Sequence, residues 1–89
     1  WSKFSINPHT SLTGINMAAS IHILASLDNA GFFEGDVTTF NPFRDDMGEI
    51  PFKLDKDGTV SPSDSPGVGI TIDENFLEKY PLIDGPCYI

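Results

Sequence analysis

The sequence predicts an α/β fold: a strand–helix–strand unit followed by a small antiparallel tail. Three observations carry that prediction. Two short apolar runs, Phe4-Ser5-Ile6 and Phe32-Phe33-Glu34, bracket one long uncharged segment. The connection between them, about 20 residues and mostly helical in pattern, matches a right-handed crossover, which makes the two strands parallel. Beyond Val37 the chain becomes rich in Pro, Gly and Ser, with short apolar runs between turn signals. The expected division is 1–37 for the strand–helix–strand piece and 38–89 for the return segment.

Taken in order, Phe4-Ser5-Ile6 ends a short strand of alternating character. Pro8 pushes Asn7 into extended geometry and stops the ladder. Thr10 or Ser11 is then placed to cap a helix. That helix is expected over "LTGINMAASIHILASL", Leu12 to Leu27. Leu12, Ile15, Ala19 and Ile23 mark one stripe, while Met17, Ile21, Leu24 and Ala25 fill much of the rest. A helix apolar nearly all round must be covered on most of its faces. Asn29 and Gly31 supply a stop signal, and Phe32-Phe33 reads as a buried strand ending in the Glu34 carboxylate. In the tail, "TTFNPFRDDMGEI" is loop-like. Pro51 to Leu54 and Thr59 to Ser61 flank the Asp-Gly turn of "DKDG". Ile70-Thr71-Ile72 is a further short strand, and Asp73 caps a short helix, "ENFLEKY", stopped by Pro81.

Composition narrows the function. The 89 residues allow one domain at most, and Trp1 in place of an initiator methionine suggests a processed, cut or partial chain. Thirteen acids against five bases give a net charge of −8, spread from Asp28 to Asp84 as a solvated face. Phosphate binding needs clustered Lys and Arg, and Arg44 is the sole arginine, so neither nucleic acid nor an anionic membrane surface is an expected partner. The single cysteine, Cys87, forms no internal disulfide, and the N-terminal stretch has no apolar signal core. A reducing, cytoplasmic location fits both features. A strand–helix–strand unit with a helix apolar on several sides cannot be covered by a turn-rich tail, so the chain is expected to pack against partners.

Two residues stand out for chemistry. Active groups in parallel α/β architectures sit at the carboxyl ends of strands. His9 lies just past the first strand and Glu34 ends the second, so the crossover brings both to one rim, on strands about 5 Å apart. Imidazole takes or gives a proton near neutrality. A carboxyl against Phe32 and Phe33 would have its charged form desolvated, favouring the protonated donor. A histidine after a strand is equally a loop residue and a strand-end glutamate equally a surface group; their coincidence at matching ends singles them out. His22, inside the helix, is read as a packing residue. "DKDG" is read as a turn and not a calcium loop, because Lys53 would hold the first ligand position and no helices flank it. "PGVG" lacks the glycines of a phosphate loop.

The order strand, "NPHTSL", apolar helix, "GFFEGD" and then "PGVGITID" resembles the C-terminal portion of the mandelate racemase and muconate lactonizing enzyme branch of the enolase superfamily. That resemblance implies a modified TIM barrel, (β/α)7β, with an α+β capping domain. Residues 1–37 would be strand 7, helix 7 and strand 8, and residues 38–89 would return to the cap. It implies that His9 is a general acid/base and that Glu34 hydrogen-bonds the substrate carboxylate or enolate, both catalytic. It implies Mg2+ bound by residues outside this chain, a sixth-strand aspartate behind the histidine, and a homo-oligomer in full-length form. The expected partners are the remainder of the barrel, the capping domain and a small sugar acid or 2-hydroxy acid. The expected activity is sugar-acid dehydration, with racemisation or epimerisation of a 2-hydroxy acid as the alternative, and this segment alone is expected to be inactive. From composition alone, a non-enzymatic acidic interaction module is the competing class.

Overall fold

The structure, a computed structural model, describes residues 3–49 and 52–85. Trp1, Pro51 at the head of the expected hairpin, and the final residues including Cys87 lie outside the described residues.

The strand–helix–strand unit is present in abbreviated form. Ile6 and Ala30 form a parallel bridge. The Ile6 N–H donates to the Asn29 carbonyl and the Gly31 N–H to the Ile6 carbonyl, each at 2.9 Å. The expected longer strands shrink to this one bridge because side chains replace further ladder bonds. Asn29 Nδ2 donates to the Phe4 carbonyl at 3.2 Å, and the Phe32 N–H donates to Asn7 Oδ1 at 2.6 Å. Asn29 therefore pairs with the first strand segment and does not act as a helix stop.

Helix α1 spans Gly14–Ala25, shorter at both ends than expected. Its N-cap is Thr13, whose hydroxyl accepts from the Asn16 N–H, and neither Thr10 nor Ser11 serves. The delay has a local cause: Leu12 adopts φ 78°, so the chain makes an extra bend before the helix starts. At the other end Ser26 caps the helix in right-handed geometry. The packing face also differs from expectation. Met17, Ala18, Ile21 and Leu24 are buried at helical spacing, whereas Leu12, Ile15 and Ile23 remain exposed. The inward stripe suffices for this chain's small core, and the second stripe stays open to solvent.

The tail contains one helix absent from the sequence reading. Helix α2, Pro42–Asp45, starts on Asn41, whose Oδ1 accepts from the Arg44 N–H, and has Pro at its first position. Helix α3, Glu74–Lys79, is capped by Asp73 as expected. Between them Gly48 and Ile72 form an antiparallel bridge. Phe43, Phe76 and Tyr80 then pack as an aromatic trio, with ring centroids 4.8–5.5 Å apart. The "DKDG" turn closes through the Gly58 N–H to the Asp55 carbonyl and the Asp55 N–H to the Thr59 carbonyl, each at 2.9 Å. Its flanks form no strand ladder among the described residues. The "PGVG" stretch is a turn with positive φ at both glycines; a side chain at Gly69 would also overlap Ser63.

The surface is large for the mass. A monomeric globular protein of this size exposes roughly 5,100 Å², whereas this chain exposes 7264 Å². Its radius of gyration is 15.0 Å, against roughly 12 Å for a compact chain of equal length. Phe32, expected to be buried, is 85% exposed, and Phe4, Val37, Phe40 and Leu82 are similarly open. No helix among the described residues is long and apolar enough to cross a membrane.

Candidate active site

His9 and Glu34 meet. His9 Nδ1 lies 2.5 Å from Glu34 Oε1, a contact between segments that leave the Ile6–Ala30 bridge in the same direction. His9 is three positions beyond its bridge residue and Glu34 four beyond its own, so the parallel register carries both side chains to one rim. Both remain open to solvent, with side-chain exposures of 83% and 53%.

The desolvation expected from Phe32 and Phe33 is not provided. Phe33 turns away to pack edge-on against Phe52, with centroids 5.1 Å apart, and Phe32 faces outward. Imidazole and carboxyl are instead each other's hydrogen-bond partner. With Nδ1 engaged by Glu34, Nε2 is the ring nitrogen left to exchange a proton with a bound molecule.

Each site-bearing segment is fixed by polar side chains that the sequence reading passed over. Thr10, next to His9, is buried, and its Oγ1 accepts from Asn16 Nδ2 at 2.8 Å and lies 3.1 Å from Ser20 Oγ. Ser20 Oγ in turn lies 2.9 Å from the Asn16 carbonyl. Thr10 therefore anchors the histidine's loop to α1 instead of capping it. On the other strand Asn7 reaches across to Phe32, two residues before Glu34. Gly31 leaves room for that carboxamide, since a Cβ there would overlap Asn7 Oδ1.

A second polar knot follows Glu34. The Asp36 carboxylate accepts from the Thr38 hydroxyl, from the Thr38 N–H at 2.9 Å and from Asn41 Nδ2 at 2.8 Å. Arg44 Nη1 donates to the carbonyls of Asp36 and Thr38 at 2.8 and 2.9 Å, while its Nε and Nη2 grip Asp45 as a two-pronged fork, both at 2.6 Å. These bonds, the Thr38 hydroxyl first, hold the Asp36 carboxyl down at about 2. The Arg44 fork likewise lowers Asp45 and raises Arg44 itself. The Asn41-Pro42 pair, an N-cap followed by Pro at N1, was the sequence signal for this knot.

His22 lies on α1, away from the rim; its Nε2 is buried with no hydrogen-bond partner among the described residues. A cleft of about 690 Å³ is lined by Ile21, Leu24, Phe33, Phe52 and the Asp57-Gly58 turn, and neither His9 nor Glu34 lines it. Among the described residues no three His, Cys, Asp or Glu side chains gather to hold a cation.

The Ile6–Ala30 bridge, helix α1 and the His9–Glu34 contact together describe a small α/β unit with an imidazole and a carboxyl on one side of it. Comparison with known proteins places it further. The family model described as enolase C-terminal domain-like matches residues 2–76, and the chain belongs to that family. It is 35% identical over 72 residues to a D-mannonate dehydratase of Caulobacter sp. and 33% identical over 72 residues to one of Caulobacter vibrioides. Each match covers 81% of this chain and 17% of the relative, so the chain spans about a sixth of the length of these curated relatives. It also superimposes on the crystal structure of a member of the enolase superfamily from Polaromonas sp., with a TM-score of 0.80 and 54% identity. That match covers 96% of this chain and 22% of the other.

Proposed function

We propose that this chain is strand 7, helix 7, strand 8 and the return segment of a sugar-acid dehydratase of the mandelate racemase branch, with His9 and Glu34 as its contribution to catalysis. The observation that carries the reading is the 2.5 Å contact between His9 Nδ1 and Glu34 Oε1 at the shared end of two parallel segments. The similarity to two D-mannonate dehydratases favours dehydration over racemisation.

The contact supports the following division of work between the two side chains. Glu34 Oε1 accepts the Nδ1 proton, which fixes the imidazole with its Nε2 lone pair directed away from the carboxyl. Nε2 then takes the proton from the carbon next to the substrate carboxylate, leaving the C–H electron pair in the enolate, and the imidazolium so formed is stabilised by the adjacent carboxyl. The second oxygen of Glu34 hydrogen-bonds the enolate oxygen as negative charge develops there. His9 returns its proton to the departing hydroxyl, water leaves, and the enol relaxes to a 3-deoxy-2-oxo acid. The carbon skeleton is kept and one water is lost. The family reading implies Mg2+ held by carboxylates on other strands, where it would stabilise the charge developing on the enolate.

Incubating the full-length protein with Mg2+ and a panel of sugar acids in deuterated water tests the reading. Oxo-acid formation that disappears in His9→Asn supports it. Deuterium exchange at the α-carbon without loss of water points to a racemase or epimerase. Neither signal from folded protein across a broad panel counts against both and favours an interaction module.

A further inference from the structure

Asn41 is the N-cap of α2, beyond both strand ends and outside the His9–Glu34 contact, yet its side chain joins the two segments that carry them. Asn41 Nδ2 donates to the Leu12 carbonyl at 3.1 Å and to the Asp36 carboxylate at 2.8 Å. Leu12 lies three residues beyond His9, and Asp36 two beyond Glu34. Both hydrogens of one amide nitrogen are therefore used, one on each site-bearing segment. Its Oδ1 accepts the Arg44 N–H at 3.2 Å. The amide orientation follows from its surroundings: the first two partners are pure acceptors and the third is a donor.

The same junction holds backbone that would otherwise relax. Leu12 is the non-glycine residue with positive φ among the described residues, at 78°. Its side chain is 72% exposed, so burial of that side chain does not impose the conformation. Such a residue persists where surrounding bonds over-determine it, and the Asn41 bond to its carbonyl is one such restraint. On the far side, Arg44 fixes the Asp36 and Thr38 carbonyls. The side chains of Asp36 and Arg44 are only 8% and 13% exposed.

We infer that Asn41 is a positioning residue, a cross-tie that sets the separation of the His9 and Glu34 segments through its two amide hydrogens. The inference rests on the reading that His9 and Glu34 act together, and its test separates the two. Asn41→Ser keeps a helix-capping oxygen but is too short to reach Leu12 and Asp36. Asn41→Asp keeps the shape and the cap but removes both donors and faces Asp36 with a like charge. If Asn41 only caps α2, both variants keep the wild-type kcat and His9 resonance, and Asn41→Asp shows only a loss of stability from the added charge.

The experiment uses the full-length protein and two readouts. The first is the downfield Hδ1 resonance of His9, the signature of an imidazole N–H held at 2.5 Å from a carboxylate. The second is the split between kcat and KM on a converted sugar acid. The expected result is loss or upfield movement of that resonance in both variants, with kcat down roughly 10- to 100-fold, as for a misplacement of about 1 Å, and KM changed far less. Should Asn41→Ser fail to fold, Asn41→Asp decides, because its cap is intact. An unchanged resonance with wild-type kcat in a folded variant overturns the proposal, as does absence of the resonance from the wild type. If the wild type converts no sugar acid but the variants still lose the resonance, the dehydratase reading fails and the cross-tie stands.

Discussion

Gly31 is fixed by what lies opposite it. Its backbone is not left-handed; the space for a Cβ is taken by the Asn7 carboxamide, which bonds Phe32. Gly31→Ala should therefore destabilise the full-length protein by about 1–3 kcal/mol, the range for an inserted methyl in filled space. The loss should shrink when Asn7→Ala is added, because the two side chains compete for one volume; thermal unfolding of the four variants measures it. Asp36 makes a second prediction at this scale. Its carboxyl is held at about 2 in the folded chain against an ordinary 3.8. As pH falls, the unfolded chain binds this proton first, so the contribution of Asp36 is full above the ordinary value and is lost as pH drops towards the folded one. The stability difference between wild type and Asp36→Asn should be present at neutral pH and fade towards pH 2. A difference that stays constant over that range would contradict the knot. At the rim, Glu34→Gln keeps both an acceptor for His9 and a donor for the enolate. It should lose less activity than Glu34→Ala, whose expected loss is about 100- to 1,000-fold, as for removal of an oxyanion donor.

At the scale of elements, strong local signals were legible and tertiary ones were not. The parallel pairing was readable because a crossover of that length leaves few alternatives, and Asp73 was readable as a cap because its side-chain oxygen sits before a helix-favouring run. Replacing Asp73 with Ala should cost about 1 kcal/mol of stability, read from the unfolding midpoint, if the cap acts as described. The helix start was misread because Thr10, Ser11 and Thr13 are equivalent by composition. What decides among them is the left-handed Leu12, whose carbonyl accepts from the distant Asn41, and the burial of Thr10 against Asn16 and Ser20 of the helix itself. The packing face of α1 was ambiguous for a similar reason: two apolar stripes coexist, and only the surrounding chain selects Met17 over Ile15. The convergence of His9 and Glu34 followed from register arithmetic. The Asp36–Asn41–Arg44 knot did not, since four residues of helix α2 are too short to leave a periodic pattern.

For the whole molecule, 7264 Å² of surface on 9.7 kDa and an outward stripe of Leu12, Ile15 and Ile23 leave more surface open than a compact domain of this mass does, which supports the proposal that the chain packs within a larger protein. A solvent-open His9–Glu34 pair fits the same picture, because acid/base chemistry gains from a rim closed against water. This segment expressed alone should therefore melt with low cooperativity and show no dehydration, measured by circular dichroism and oxo-acid assay; a sharply melting monomer would contradict the need for cover. The central claim is that His9 and Glu34 act as one unit, and a double-mutant cycle on kcat/KM in the full-length protein tests it most directly. His9→Ala, Glu34→Ala and the double variant are compared on whichever sugar acid is converted fastest. The prediction is that the double variant falls little further than the worse single one, as groups acting together lose their function together. Losses that multiply, or a His9→Ala variant with wild-type kcat/KM, would contradict it.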